Sequence, residues 1–140
     1  MTDYFLSICI ALTAMVMDIR FRRVNNVFLL ISFISVIVAK TIVDDLKISL
    51  QLLGAFFPII LFAIPFFYGF IGAGDIKLLC TLGFIFGIRR FLIVIVLIGF
   101  LSVPEYVLYR IIYKNEFPFC IAIFTGTAAA IIYWIFMYGM

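Results

Sequence analysis

Long apolar runs, separated by short turns that carry charge or glycine, make up the chain from end to end. The runs extend from about Asp3 to Asp18, Val24 to Ala39, Ile48 to Phe70, Ile76 to Ile88, Phe91 to about Ile112, and Phe117 to Tyr138. A membrane-spanning helix needs roughly 20 predominantly apolar residues. Spans of that length nearly exhaust the 140 residues, so every connection is expected to be a tight turn, with no room for a soluble domain. The pattern predicts an all-α fold: a polytopic transmembrane helical bundle of about six spans, forming a single integral membrane domain over residues 1–140. The fourth run is short and contains Gly83 and Gly87. It crosses if its ends are extended by "GDIK" and "RRF", or else it forms a re-entrant hairpin with the start of the fifth.

Composition agrees with this pattern. Hydrophobic residues make up 68% of the chain and charged residues 12%, with a mean hydropathy of +1.37. A soluble domain is about half apolar and about a quarter charged. The 18 Phe are spread along the whole length, as in a bundle of lipid-facing helices rather than a soluble domain with one anchor. The N-terminal run lacks a basic leading region and a small-residue cleavage site, so it reads as a retained span and not a removed signal peptide. Cys9, Cys80 and Cys120 are isolated within apolar runs, which excludes a zinc ribbon and suits small buried hydrophobes.

A net charge of +3 bears on orientation more than on nucleic acid, for which no partner role is expected, because the cations lie in turns between apolar runs. Lys and Arg favour the cytoplasmic side, and the earliest spans usually dominate. With the turn "DIRFRRVNN" inside, alternation places Arg20, Arg22, Arg23, Lys77, Arg110 and Lys114 on the cytoplasmic side. Lys40, Lys47, Arg89 and Arg90 fall outside, the Arg89–Arg90 pair running against the bias. The tyrosines fall near predicted span ends, where an amphipathic ring is at home.

Acidic residues then need individual reasons. Asp3 is terminal, Asp44 and Asp45 sit beside Lys40 and Lys47 in an outer turn, and Glu116 sits beside Lys114. Glu105 follows Pro104 near the cytoplasmic end of the fifth run, where it suits pairing with Lys77 or the basic turn. Asp18 ends the first span and Asp75 opens the fourth, so alternation puts both at one membrane face. Two carboxylates about 3 Å apart cannot both ionise, and one then stays protonated while the other accepts a proton from water. Interfacial ion pairs, Asp18 with Arg22 and Asp75 with Lys77, fit the same placement. The glycines Gly72 and Gly74 in "GAGD" favour the first reading. They allow unusual backbone angles and close approach of another chain, which a solvated turn does not need.

The segments "DIRFRRVNN" and "GAGDIKL" resemble those of the type IV prepilin peptidase family, the GxGD-type aspartyl membrane proteases. That family carries one catalytic aspartate heading a D-x-R-x-R-x-I-P-N type segment and a second in G-x-G-D-x-K. By this resemblance the catalytic pair is Asp18 and Asp75, with Arg20, Arg23, Asn26, Gly72, Gly74 and Lys77 in support. A third segment, "FPFCIAIFTG", looks like the P-[FY]-x-x-A-I-x-x-G element that opens the family's last span. Asn25 stands where a proline is usual. The zinc-binding insert of larger members, associated with N-methylation, has no counterpart here, so the chain resembles the short form serving Flp/Tad-type pili.

The resemblance implies an aspartic endopeptidase of the cell membrane. It would remove leaders from pilin-like precursors at the cytoplasmic face, in the lipid bilayer, with no cofactor and no metal. Two other classes remain open: a small carrier coupling protons or cations through Asp75 and Glu105, and a non-catalytic pilus or secretion assembly subunit. A carrier leaves the glycines beside Asp75 unexplained, and carriers often show internal repeats, of which the halves show none.

Overall fold

A computed structural model describes residues 2–21, 25–42, 48–69, 71–113 and 119–138. They form five helices: α1 (Thr2–Phe21), α2 (Asn26–Ile42), α3 (Ile48–Phe67), α4 (Ala73–Tyr113) and α5 (Phe119–Tyr138). The all-α class is the one expected. Of these helices, α1, α3, α4 and α5 are long and apolar enough to cross a membrane, and α2 is a shorter apolar helix of 17 residues. The count is therefore four candidate spans rather than about six. The difference comes from α2's length and from α4, where the expected fourth and fifth runs join in one element of 41 residues.

Gly87 divides α4. Its φ of 67° and ψ of 163° lie outside any helix, in a region that glycine alone enters without strain. Packing partners on either side show what the break does. Before it, Asp75 meets Cys120 and Phe86 meets Trp134, so residues 73–86 run parallel to α5. After it, Ile98 lies against Gly126, and Leu92, Ile93 and Leu97 border one cavity with Tyr133. Residues 88–113 therefore run antiparallel to α5, and α4 is a helical hairpin with Gly87 at its apex.

The first leg of this hairpin is the centre of the bundle. Leu78, Leu79, Leu82 and Ile85 are buried there, joined by Phe91 and Val94 of the second leg and Ile123 of α5. α3 packs on the first leg so closely that the backbones of Gly54 and Gly83 touch, and a Cβ on either would collide with the other's carbonyl. Outward positions such as Leu30, Ile60, Ile64 and Phe100 are exposed, as lipid-facing positions should be.

These contacts sort the helix termini into two groups. One end of the bundle gathers the C-terminus of α1 with the N-termini of α2, α4 and α5, through Asp18, Asn26, Asp75, Lys77 and Cys120. The far end gathers Tyr4, Phe86 and Trp134, whose rings meet at centroid distances of 5.2 to 6.4 Å. There Lys40 Nζ donates to Asp3 Oδ2 at 2.7 Å, and both side chains are largely buried. This corrects two expectations. Asp3 is a structural partner rather than a loose terminus, and Lys40 turns to α1. Asp44, Asp45 and Lys47, its expected neighbours, lie outside the described residues.

Removing one member of a buried pair leaves an uncompensated charge. Asp3→Asn is expected to destabilise the detergent-solubilised protein by about 3 kcal/mol, and Asp3→Asn with Lys40→Met to recover most of that loss. Thermal unfolding of the single and double variants checks both values.

Candidate active site

Asp75 owes its position to the start of α4. Gly72 caps the helix: its carbonyl accepts from the N–H groups of Asp75 and Ile76 at 3.1 and 3.3 Å. Asp75, three residues on, reaches back and accepts from the Gly72 N–H through Oδ2 at 3.3 Å. This is one half of a capping box, in which an acidic side chain at the third helical position satisfies the N–H of the cap residue. A Cβ on Gly72 would stand 3.3 Å from Oδ2, a tight contact that the carboxylate would relieve only by shifting a few tenths of an ångström. The left-handed backbone of this connection sits earlier, at Gly69, with φ 75°.

The other carboxylate oxygen faces α5. Cys120 Sγ–H donates to Asp75 Oδ1 at 3.0 Å, and Cys120 is wholly buried. Asp18 arrives from the last turn of α1. One ligand atom each from Asp18, Asp75 and Cys120 lies within 4.8 Å of the other two. Three helices thus bring two carboxylates and a thiol to one point. The set has the donors to hold a divalent cation, as well as to handle protons.

The remaining predicted residues divide. Lys77 Nζ donates to Asn26 Oδ1 at 2.8 Å, tying the first turn of α4 to the first turn of α2. Asn25, where proline is usual, caps α2 by accepting the Val27 N–H through its side chain at 3.0 Å. The departure thus replaces a rigid turn with a cap. Arg20 is exposed, with its guanidinium 5.7 Å from the Phe21 ring centroid, a cation at the C-terminal end of α1 that suits the helix dipole. Gly74 lies in the first turn of α4. Arg22 and Arg23 lie outside the described residues. Glu105 is not part of the cluster. Lys77, its expected partner, is held by Asn26, and Glu105 Oε2 is buried without a hydrogen-bond partner among the described residues.

Cys120 is the member that the sequence reading missed, having been taken for a buried small hydrophobe. Its one signal was position: it lies directly after "FPF", in the segment matched to the opening of the last span. A thiol there is indistinguishable from a packing residue until α5 is seen against α4.

Comparison with known proteins now adds to the geometry. The model of the type IV leader peptidase family matches residues 5–108, a stretch holding Asp18, Asp75 and all the supporting positions. The chain belongs to that family. Its activity is that of a prepilin leader peptidase, an aspartic protease, set among membrane-spanning helices. Comparisons with curated proteins and with solved structures return no match.

Loss of the thiol donor removes a weak hydrogen bond worth about 1 kcal/mol. Cys120→Ala is expected to lower kcat for leader cleavage about fivefold with little change in KM. Cys120→Ser, which keeps a donor at that position, is expected to restore it. Steady-state kinetics of the two variants make the comparison.

Proposed function

We propose that Asp18 and Asp75 form the catalytic dyad of this peptidase and activate water between them. The observation that carries this reading is their convergence, from α1 and α4, to no more than 4.8 Å. Two hydrogen bonds of about 2.8 Å meeting at a tetrahedral oxygen span about 4.6 Å, so one water can bridge both carboxyls when their separation is at the upper end of that range. One carboxylate takes a proton from that water as it attacks the scissile carbonyl. The other, protonated, donates to the carbonyl oxygen. The Gly72 N–H and Cys120 S–H hold Asp75 in the required orientation, and the Lys77–Asn26 bond keeps the entries of α2 and α4 together.

In this reading α2 crosses the bilayer with the four longer helices and α4 crosses twice, giving six passages. The dyad end is cytoplasmic, in line with the arginine-rich turn that follows Asp18. The substrates are leader-bearing precursors of Flp-type pilins, in keeping with a chain that has no zinc-binding insert. Arg20 and Lys77 support the turns and the dyad. Cations are poorly suited to recognising a basic leader, so that task is not assigned to them. A carrier working through Asp75 and Glu105 has no support from the geometry, because Glu105 does not join the cluster.

Asp18→Asn and Asp75→Asn, made separately, are expected to insert at wild-type levels and to leave a co-expressed pilin precursor uncut, a loss of at least about 10³-fold. Immunoblotting of precursor and mature pilin reads the outcome. Full processing by either variant sinks the dyad.

A further inference from the structure

The Arg89–Arg90 pair has no role in the peptidase reading. In the orientation proposed above it also runs against the preference of Lys and Arg for the cytoplasmic side, because it stands at the end of the bundle away from Asp75. Both side chains are exposed, and among the described residues neither has an acidic partner. The pair borders a cavity of about 360 Å³.

This cavity gathers charge from three helices. Asp3 comes from α1, Lys40 from α2, and the arginines from the start of the second leg of α4. Lys40 and Asp3 neutralise each other through their 2.7 Å bond, which leaves the two arginine charges uncompensated among the described residues. Gln51, buried in the first turn of α3, adds an amide to the wall. Backbone polarity acts in the same sense. Gly87 borders the cavity and interrupts α4, so the second leg begins there. The first N–H groups of a helix have no carbonyl of their own helix to bond, and they carry the positive end of its dipole. The rest of the wall is apolar, with Ile85 and Phe86.

We propose that this cavity holds the phosphate of a net-anionic phospholipid. Neighbouring guanidinium forks match the oxygens of a phosphate in paired hydrogen bonds, which a point charge does not. The ends of spanning helices stand at the headgroup layer, where phosphodiesters are the prevailing anions. The volume is about that of a dozen waters at ~30 Å³ each, room for a phosphodiester with its glycerol carbons. Those carbons find a surface in Ile85 and Phe86, for which a free ion has no use. A zwitterionic headgroup brings its own cation toward two arginines and is disfavoured. A headgroup ending in uncharged hydroxyls is not. The bound phosphate would fasten the start of the second leg to α2 and α3 across the reversal at Gly87.

The test uses the full chain in a neutral detergent, with phosphatidylglycerol, phosphatidylcholine and inorganic phosphate as probes. From an equimolar mixture of the two lipids, native mass spectrometry is expected to find one phosphatidylglycerol retained per chain, at about tenfold preference. Arg89→Gln combined with Arg90→Gln is expected to erase that preference. Arg110→Gln, which removes an exposed arginine at the dyad end, is expected to leave it intact. Phosphatidylglycerol should likewise raise the thermal unfolding midpoint of the wild type and not that of the double variant. Equal retention of both lipids by the wild type overturns the proposal without recourse to any variant. Persistence of the preference in the double variant, or equal loss in Arg110→Gln, overturns the site. Inorganic phosphate that protects as well as phosphatidylglycerol assigns the cavity to a free anion and overturns the lipid. Neither measurement involves cleavage, so the outcome is independent of the peptidase reading.

Discussion

Inside hydrocarbon a polar group finds no water and must be satisfied by the protein that carries it. The hydroxyls of Thr13, Ser35, Thr41, Thr81 and Thr127 meet this demand locally, each bonding a carbonyl four residues earlier. Three charged groups also reach across helices. Lys40 joins α2 to α1, Lys77 joins α4 to α2, and Asp75 joins α4 to α5 through Cys120. The same demand that makes charge expensive in lipid thereby selects which helices are fastened together. α2 shows the effect most clearly, held at each end by a polar bond and between them by Phe33 against Phe84.

The carboxylate cluster follows from this logic. Asp75 is engaged on both oxygens, by its own helix cap and by a thiol from another helix, so the fold sets its orientation. For the proposed dyad this is the preorganisation in which much of an enzyme's rate enhancement resides. The glycine at position 72 contributes by absence of bulk, and the hydrogen bond it donates does the rest.

Helix placement was legible because length and apolarity are local properties. The third run, expected over Ile48–Phe70, is a helix over Ile48–Phe67, and the sixth, expected from Phe117, begins at Phe119. The reversal between the fourth and fifth runs was expected at the charged pair Arg89–Arg90, but it occurs at Gly87, where backbone freedom rather than charge decides. Asp18 and Asp75 were legible as neighbours because alternation of spans is a strong constraint on depth. Depth says nothing about rotation. The apolar helices are hydrophobic around most of their circumference, so no stripe shows which face turns inward. For that reason Cys120 and the Asp3–Lys40 bond were out of reach, each depending on how one helix is turned toward another.

The aromatic group at the far end has a consequence for this question of rotation. Tyr4, Phe86 and Trp134 belong to α1, the first leg of α4 and α5, the same three elements that carry Asp18, Asp75 and Cys120 at the opposite end. The bundle thus resembles a tripod whose feet are three rings and whose apex is the carboxylate cluster. From Tyr4 to Asp18 the lever is about 21 Å, at 1.5 Å per residue, so a tilt of about 5° at the rings displaces the apex by about 2 Å. The spacing of the acids is gauged from a hydrophobic joint at the other end of the bundle.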